Sequence, residues 1–537
     1  MSLARSTLGF SAMTLVSRVL GFVRDVVLAR AFGAGPMMDA FIVAFKIPNF
    51  LRRLFAEGSF SLAFVPVLNE YRERGDAAAL KSLIDATAGS LMAVLLLVTG
   101  LGMLAAPWVV ALFAPGFVGQ PEQQALASDM LRITFPYLLL VALTALAAGV
   151  LNTLGRFALP ALTPALLNVA MIAGALLFAA YFEPPIKVLA WAVLIAGALQ
   201  LLALLPSLAR HGVLPRPWPN FKHPGVRRIL TLMGPTLFGS SVAQINLLID
   251  TLIASLLLAG SISWLYYADR LMEFPLGLFG VALSTVIMPT LSRLHARDDQ
   301  LSFKATLDWA LLAAMVVGVP AAVGLASLAP AVVIGLFQYG QFGVTDAAMT
   351  ARALAVYCLG LPAFMLIKIL SPGFFSRQDV KTPVKIAVVA LVVNMALNVV
   401  LVVAFVAWLA GGDFSAGLLP TLAAYPGAHV ALALASSLTA WLNAGLLWWK
   451  LAEVGLAPRL PVRQGIRVML AALFMAVSVW LVVPASDVLL AASVWQRLGH
   501  LFTAIALGLV VYTAVLALLG LRPADLARPQ AVSVPHK

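Results

Sequence analysis

One cysteine, Cys358, occurs in 537 residues and lies inside an apolar run, which excludes a disulfide framework and a thiolate metal centre. Charge is also scarce: Asp, Glu, Lys and Arg make up 11% of the chain, with 22 acids against 35 bases. The six histidines (His211, His223, His295, His429, His500 and His536) are scattered and form no metal-binding spacing. A Walker A sequence, a nucleophile elbow and a Gly-rich phosphate loop are all missing, so ATP-driven transport and hydrolase chemistry have no support. The ten-residue alternation of an outer-membrane barrel is missing too.

What fills the sequence instead is apolar. Hydrophobic residues are 62% of the chain and the mean hydropathy is +1.00, with runs of about 20 such residues recurring from end to end. This is an all-α polytopic membrane protein. About fourteen transmembrane helices are predicted, over 6–32, 37–67, 83–113, 126–154, 159–182, 188–209, 228–258, 263–293, 303–337, 347–374, 383–409, 427–449, 466–490 and 496–520. The first is not a cleavable signal peptide, because Arg18, Arg24 and Asp25 interrupt any apolar core. Basic residues mark cytoplasmic loops, and they gather in alternate connections: Arg72, Arg74 and Lys81; Arg210 to Arg228; Arg293, Arg297 and Lys304; Arg377, Lys381 and Lys385; Arg459, Arg463 and Arg467. The connections near Gly33, Gly116, Gly260, Gly340 and Gly411 hold no Lys or Arg, and only Lys187 and Arg497 break the pattern. Both termini are therefore expected in the cytoplasm, and the net charge of +13 lines one membrane face rather than marking a nucleic-acid partner.

The chain repeats itself weakly. DVVLARAFGAG from Asp25 resembles DTLIASLLLAG from Asp250, FVPVL at Phe64 resembles IMPTL at Ile287, and GRFALPALTP ending at Pro164 resembles SRQDVKTP ending at Pro383. The offsets of 225, 223 and 219 residues fit duplicated six-helix halves with small insertions. Two pseudo-symmetric six-helix lobes and two extra C-terminal helices follow, divided at 1–227, 228–455 and 456–537. An even number of spans per lobe makes the repeat parallel, with its axis along the membrane normal.

Three segments carry charge at membrane depth, where an ionisable group costs kilocalories and must face protein or water. In the first span Ser11, Thr14, Arg18, Gly21 and Asp25 follow helical steps, with Ser17 and Arg24 on an adjoining face. In the second, Lys46, Asn49, Arg53 and Glu57 form one stripe near Asp39 and Arg52, and Pro48 and Gly58 weaken the helix beside it. In the eighth, Asp269, Arg270 and Glu273 precede a break at Pro275. Spans one, two and eight are expected to line the central space between the lobes. Arginine stays charged when desolvated and grips phosphate oxygens bidentately, so the pattern points to an anionic, phosphate-bearing substrate; the competing reading is salt-bridge glue between helices.

A second constellation comprises Asp250 with Asn246, then Asn394 and Asn398, then Ser436, Thr439 and Asn443. One carboxylate among neutral oxygens suits a monovalent cation or a proton, and interhelical hydrogen bonding accounts for it equally well.

The segments SRVLGFVRD, MDAFIVAFKIPNFLRRLFAEGSFSLAFVPV, SWLYYADRLMEFPLGLFGVALSTVIMPTLS and FFSRQDVKTPVK closely resemble the MurJ (MviN) family of lipid II flippases, within the multidrug/oligosaccharidyl-lipid/polysaccharide (MOP) exporter superfamily. The resemblance covers essentially the whole chain. It implies a non-enzymatic transporter of the bacterial inner membrane that serves peptidoglycan biosynthesis. Its action would be alternating access, carrying undecaprenyl-pyrophosphate-linked lipid II from the cytoplasmic to the periplasmic leaflet. It implies substrate-cavity roles for Ser17, Arg18, Arg24, Asp39, Arg53, Glu57, Asp269, Arg270 and Glu273, with Arg52 beside them, and a polyprenyl groove on the last two helices. It also implies contact with membrane lipids and with cell-wall synthesis machinery, and no cofactor beyond Na+ or H+ coupling. Some members hold sodium between the seventh, eleventh and twelfth spans, where Asp250, Asn394 and Asn398 stand here, with an Asn in a place that can be acidic. The rival readings are another MOP-type exporter, of O-antigen lipid or drugs, and a membrane-embedded glycosyltransferase. That enzyme calls for an acidic metal motif or a large outer loop, and the sequence has neither.

Overall fold

The computed structural model describes residues 3–54, 60–459 and 462–521, without the side chains of 3–15, 235–243 and 247. Every predicted span has a helical counterpart, and no strand occurs among the described residues. In chain order they are α1 (Leu3–Phe32), α2 (Pro36–Arg52, taken up again in Ser61–Glu73), α3 (Ala77–Leu104), α4 (Pro121–Thr153), α5 (Ala158–Tyr181), α6 (Lys187–Arg210) and α7 (Pro224–Ser255). Then follow α8 (Ser261–Ala296), α9 (Gln300–Ser327), α10 (Val344–Phe375), α11 (Lys381–Leu409), α12 (His429–Glu453), α13 (Val462–Val482) and α14 (Val494–Leu518). Eleven of these, all but α1, α2 and α7, are long and apolar enough to cross a membrane.

Helices carry the chain because a lipid-facing backbone must satisfy its own polar groups, and the prolines test that rule. Pro48 was expected to weaken α2, yet the helix runs through it to Arg52. Pro48 has no N–H for the carbonyl of Ala44, and the Thr134 hydroxyl on α4 bonds that oxygen instead at 2.9 Å. The same repair occurs in α9, where Pro320 deprives the Val316 carbonyl and Tyr512 of α14 donates its hydroxyl at 2.7 Å. At Pro275 the expected break takes another form: Leu276–Gly280 winds as a wider π-helical turn before α8 continues.

The chain forms two compact units, Met1–Ser263 and Trp264–Lys537. In the first, Phe64 and Leu68 of α2 pack with Leu83 and Ile84 of α3, Leu146 and Val150 of α4 and Leu204 of α6. In the second, Ile287 and Leu291 of α8 pack with Phe303 and Leu307 of α9, Ile369 and Phe374 of α10 and Leu447 of α12. The same helices, counted six spans on, thus build both cores. Asp85 of α3 accepts a hydrogen bond from the Arg216 backbone N–H at 2.7 Å, and Asp308 of α9 accepts one from the Arg459 N–H at 2.5 Å. Asp85 and Asp308 lie 223 residues apart, one of the offsets of the sequence repeat. By contact α7 packs in the first unit, although by repeat it opens the second half.

Arg497, which with Lys187 breaks the basic pattern on the opposite loop face, is not a solvated charge. It is 8% exposed, donating to the carbonyls of Ala492, Leu490 and Gln338 and to the Gln338 side chain at 2.7–3.0 Å, with its guanidinium 5.2 Å from the Tyr339 ring centre. These bonds fasten the start of α14 to the loop after α9.

Candidate anion-binding site

Arg24 and Asp25 of α1 are 7% and 2% exposed. Arg24 grips one carboxylate oxygen of Asp25 through Nε and Nη2, at 2.9 and 2.7 Å, and through Nη1 reaches the side-chain oxygen of Asn168 on α5 at 3.0 Å. Asn168 in turn donates to the Ser17 carbonyl at 3.2 Å, tying α5 to α1 about two turns before the arginine. Three bonds on a planar guanidinium fix its plane, which is how a fork for phosphate oxygens is pre-set. Arg18, one and a half turns away, is exposed, and Ser17 is half-buried.

On α2 the charges spread over three environments. Asp39, 2% exposed, spends its carboxylate on the start of α8: it accepts from the Gly260 N–H at 2.6 Å and from the Ser263 N–H and hydroxyl at 2.8 and 2.5 Å. It therefore caps a helix N-terminus, where the unsatisfied N–H groups favour an anion. Lys46 donates to the Thr251 hydroxyl at 2.9 Å and Arg53 to the Gln244 side-chain oxygen at 3.4 Å, both on α7. The members of each pair stand seven residues apart on their own helices, in opposite chain directions, so the two helices meet as an antiparallel ladder. Arg52 is braced from below by Asn49 at 2.8 Å. Glu57 lies outside the described residues.

On α8 Arg270 pairs with Glu273 at 2.8 Å and lies over the Tyr266 ring at 5.2 Å, while Asp269 beside it is half-buried. The first turn of α8 within the second unit is held by Trp264, which donates to Asp346 at 2.9 Å and lies tilted against His429 with ring centres 5.0 Å apart.

The cation constellation comes together in pieces. Asn246 and Asp250 of α7 approach at 3.5 Å in the first unit; in the second, Thr439 of α12 donates to Asn394 of α11 at 3.2 Å, and Asn398 is fully buried one turn on. Among the described residues no group of three His, Cys, Asp or Glu side chains is placed to hold a metal ion.

Sequence reasoning passed over Asn168, Thr251 and Gln244, the neutral partners of Arg24, Lys46 and Arg53. Their signal was present in one form: each is a polar side chain inside a membrane-spanning helix, the kind that bonds across helices.

The family model described as "Lipid II flippase MurJ" matches residues 28–510. The chain belongs to the MurJ family. A probable lipid II flippase MurJ of Haemophilus influenzae is 44% identical over 525 residues, covering 95% of this chain and 98% of that one. A lipid II flippase MurJ of Burkholderia cenocepacia is 47% identical over 406 residues, 75% and 79% of the two chains. Among solved structures, lipid II flippase MurJ in an inward closed conformation superposes with a TM-score of 0.77 at 27% identity, covering 97% and 99%. An inward-facing multidrug MATE transporter of the MOP superfamily shares the fold, with a TM-score of 0.63 at 12% identity over 84% of this chain. The MurJ and MOP resemblance read from the motifs is thus borne out, as is the all-helical multi-pass membrane architecture.

Proposed function

We propose that this chain is a lipid II flippase, a transporter and not an enzyme, that moves the undecaprenyl-pyrophosphate-linked peptidoglycan precursor from the cytoplasmic to the periplasmic leaflet of the bacterial inner membrane by alternating access. Both termini are cytoplasmic in this reading, fourteen helices cross the membrane, and the lobes divide at 227/228 and 455/456. The observation that carries it is the buried Arg24, a permanently charged guanidinium whose plane is set by Asp25 and Asn168 inside a span where an ionisable group is costly and functional by default.

In this reading Ser17, Arg18, Arg24, Arg52, Arg53, Asp269, Arg270 and Glu273 receive the pyrophosphate and the groups next to it. The carboxylates of Asp39 and Glu57 work against the substrate: pairing with protein groups in the empty carrier, they favour the state to which it must reset. Asp39 on the first turn of α8 is one such pairing. The polyprenyl tail takes the apolar side of the second unit. There a cavity of about 600 Å³ is lined by Val319, Cys358, Pro362, Trp441, Trp448 and Met469, of which only Met469 belongs to the last two spans. A monovalent cation or proton at Asp250, Asn394 and Asn398 assists resetting. Membrane lipids and the cell-wall synthesis machinery are the remaining partners.

The test is depletion of the protein in its source bacterium with a leaflet-resolved assay of lipid II. Accumulation of lipid II in the cytoplasmic leaflet is expected; an unchanged leaflet distribution rejects the function.

A further inference from the structure

We propose that Lys368 is an additional cationic contact for the phosphate groups of the anionic lipid, lying on the cytoplasmic side of Arg270 and met before it. Lys368 sits inside α10, seven residues before its end at Phe375, about 10 Å along the helix. A lysine at that depth is costly and calls for a partner or a task. Lys81, Lys187 and Lys450 have carboxylate partners in Asp85, Asp129 and Glu453, and Lys46 has the Thr251 hydroxyl. Among the described residues no carboxylate pairs with Lys368, and it is exposed while its neighbours Ile369 and Leu370 are completely buried.

Its stem is placed by a glycine. A Cβ on Gly280 would stand 3.7 Å from Lys368 Cγ, so the lysine crosses α8 at the buried Gly280, the last residue of the π-helical turn. Such turns recur at functional sites because they re-aim the residues around them. Arg270 and Glu273 precede that turn on the same helix; from Arg270 to Gly280 is ten residues, about 15 Å towards the end bearing the basic loops. The lysine thus stands beside α8 on the cytoplasmic side of Arg270, a second, more peripheral cationic station. The residue type suits a transit point. An ammonium is a compact charge with freely rotating donors that holds phosphate without a fixed fork, whereas Arg270 can grip bidentately.

This inference rests on the flippase reading, and the test separates the two. Cys358 is the one native cysteine, so Lys368→Cys in a Cys358→Ser background gives a single reactive thiol in the full chain. Its labelling by a charged methanethiosulfonate should slow severalfold with undecaprenyl pyrophosphate and not with undecaprenol. Equal labelling with both lipids overturns the proposal, whether or not the wild-type protein flips lipid II. In reconstituted vesicles Lys368→Met should flip lipid II about tenfold more slowly. Aminoethylation of Lys368→Cys should restore the rate, and a sulfonatoethyl adduct should not. A wild-type rate in Lys368→Met, or equal rescue by a neutral methyl adduct, also overturns it. If the pyrophosphate lipid protects the thiol while the wild-type protein moves no lipid II, the binding contact stands and the flippase reading falls.

Discussion

Arg24 shows how much of the site is a matter of single side chains. Its guanidinium is held by Asp25 and Asn168, and a buried arginine stripped of its carboxylate costs about 3–5 kcal/mol. Asp25→Ala should therefore lower the yield of folded protein as well as transport, whereas Arg24→Ala should leave the protein inserted and abolish flipping. Arg24→Lys should rescue little, because an ammonium lacks the planar fork. Complementation of a depletion strain at matched expression decides this, and normal growth with Arg24→Ala defeats the anion site. Asp39→Asn keeps one acceptor oxygen for the start of α8 and loses the charge. It should shift the carrier towards the outward-open state, which cysteine-accessibility labelling from the two membrane faces would register; unchanged labelling removes the resetting role.

At the scale of elements, the prolines of α2 and α9 are tolerated because a hydroxyl from a neighbouring helix takes the orphaned carbonyl. Tyr512→Phe removes that donor for Val316 and should cost about 1–2 kcal/mol, read as a lower midpoint of thermal unfolding in detergent. No change would mean that water reaches the carbonyl. This bond ties α14 to α9 and the anchorage of Arg497 ties it to the loop beyond, so α14 is a packed part of the second unit rather than a loose addition. Deleting residues 462–518 should impair handling of a long-chain substrate more than binding of a short-chain analogue. Equal loss of both would assign these helices to folding alone.

For the whole molecule the governing quantity is charge moved across the membrane. With the cytoplasm negative, outward passage of a net anion is downhill by about 2.3 kcal/mol per charge per 100 mV, unless protein cations travel with it. Inward return of the emptied, arginine-rich carrier moves positive charge towards the negative cytoplasm and is favoured as well, and a cation near Asp250 would assist that step through its different affinity for the two states. Flipping in proteoliposomes should rise with an inside-negative potential in the right-side-out population. Asp250→Asn should slow turnover and blunt any response to sodium without weakening headgroup binding. Indifference to potential rejects the electrogenic scheme, and an unaltered ion response rejects the site.

The order of the helices, their apolar character and the weak repeat were legible in the amino-acid sequence, because a bilayer admits one backbone solution and its length is set by thickness. The repeat reached the level of single residues: Asp85 and Asp308 do the same work on equivalent helices. The charged stripe of α2 was legible too, since helical spacing alone aligns Lys46, Asn49 and Arg53. What those charges touch was not. Sequence spacing says which side chains share a face, and only packing says which helix lies opposite. The neutral partners Asn168, Thr251 and Gln244 on α5 and α7 became visible only through contact, and so did the turn of Asp39 towards the start of α8. The continuity of α2 through Pro48 depended in the same way on Thr134, 86 residues further along the chain, whose hydroxyl no local pattern could have supplied.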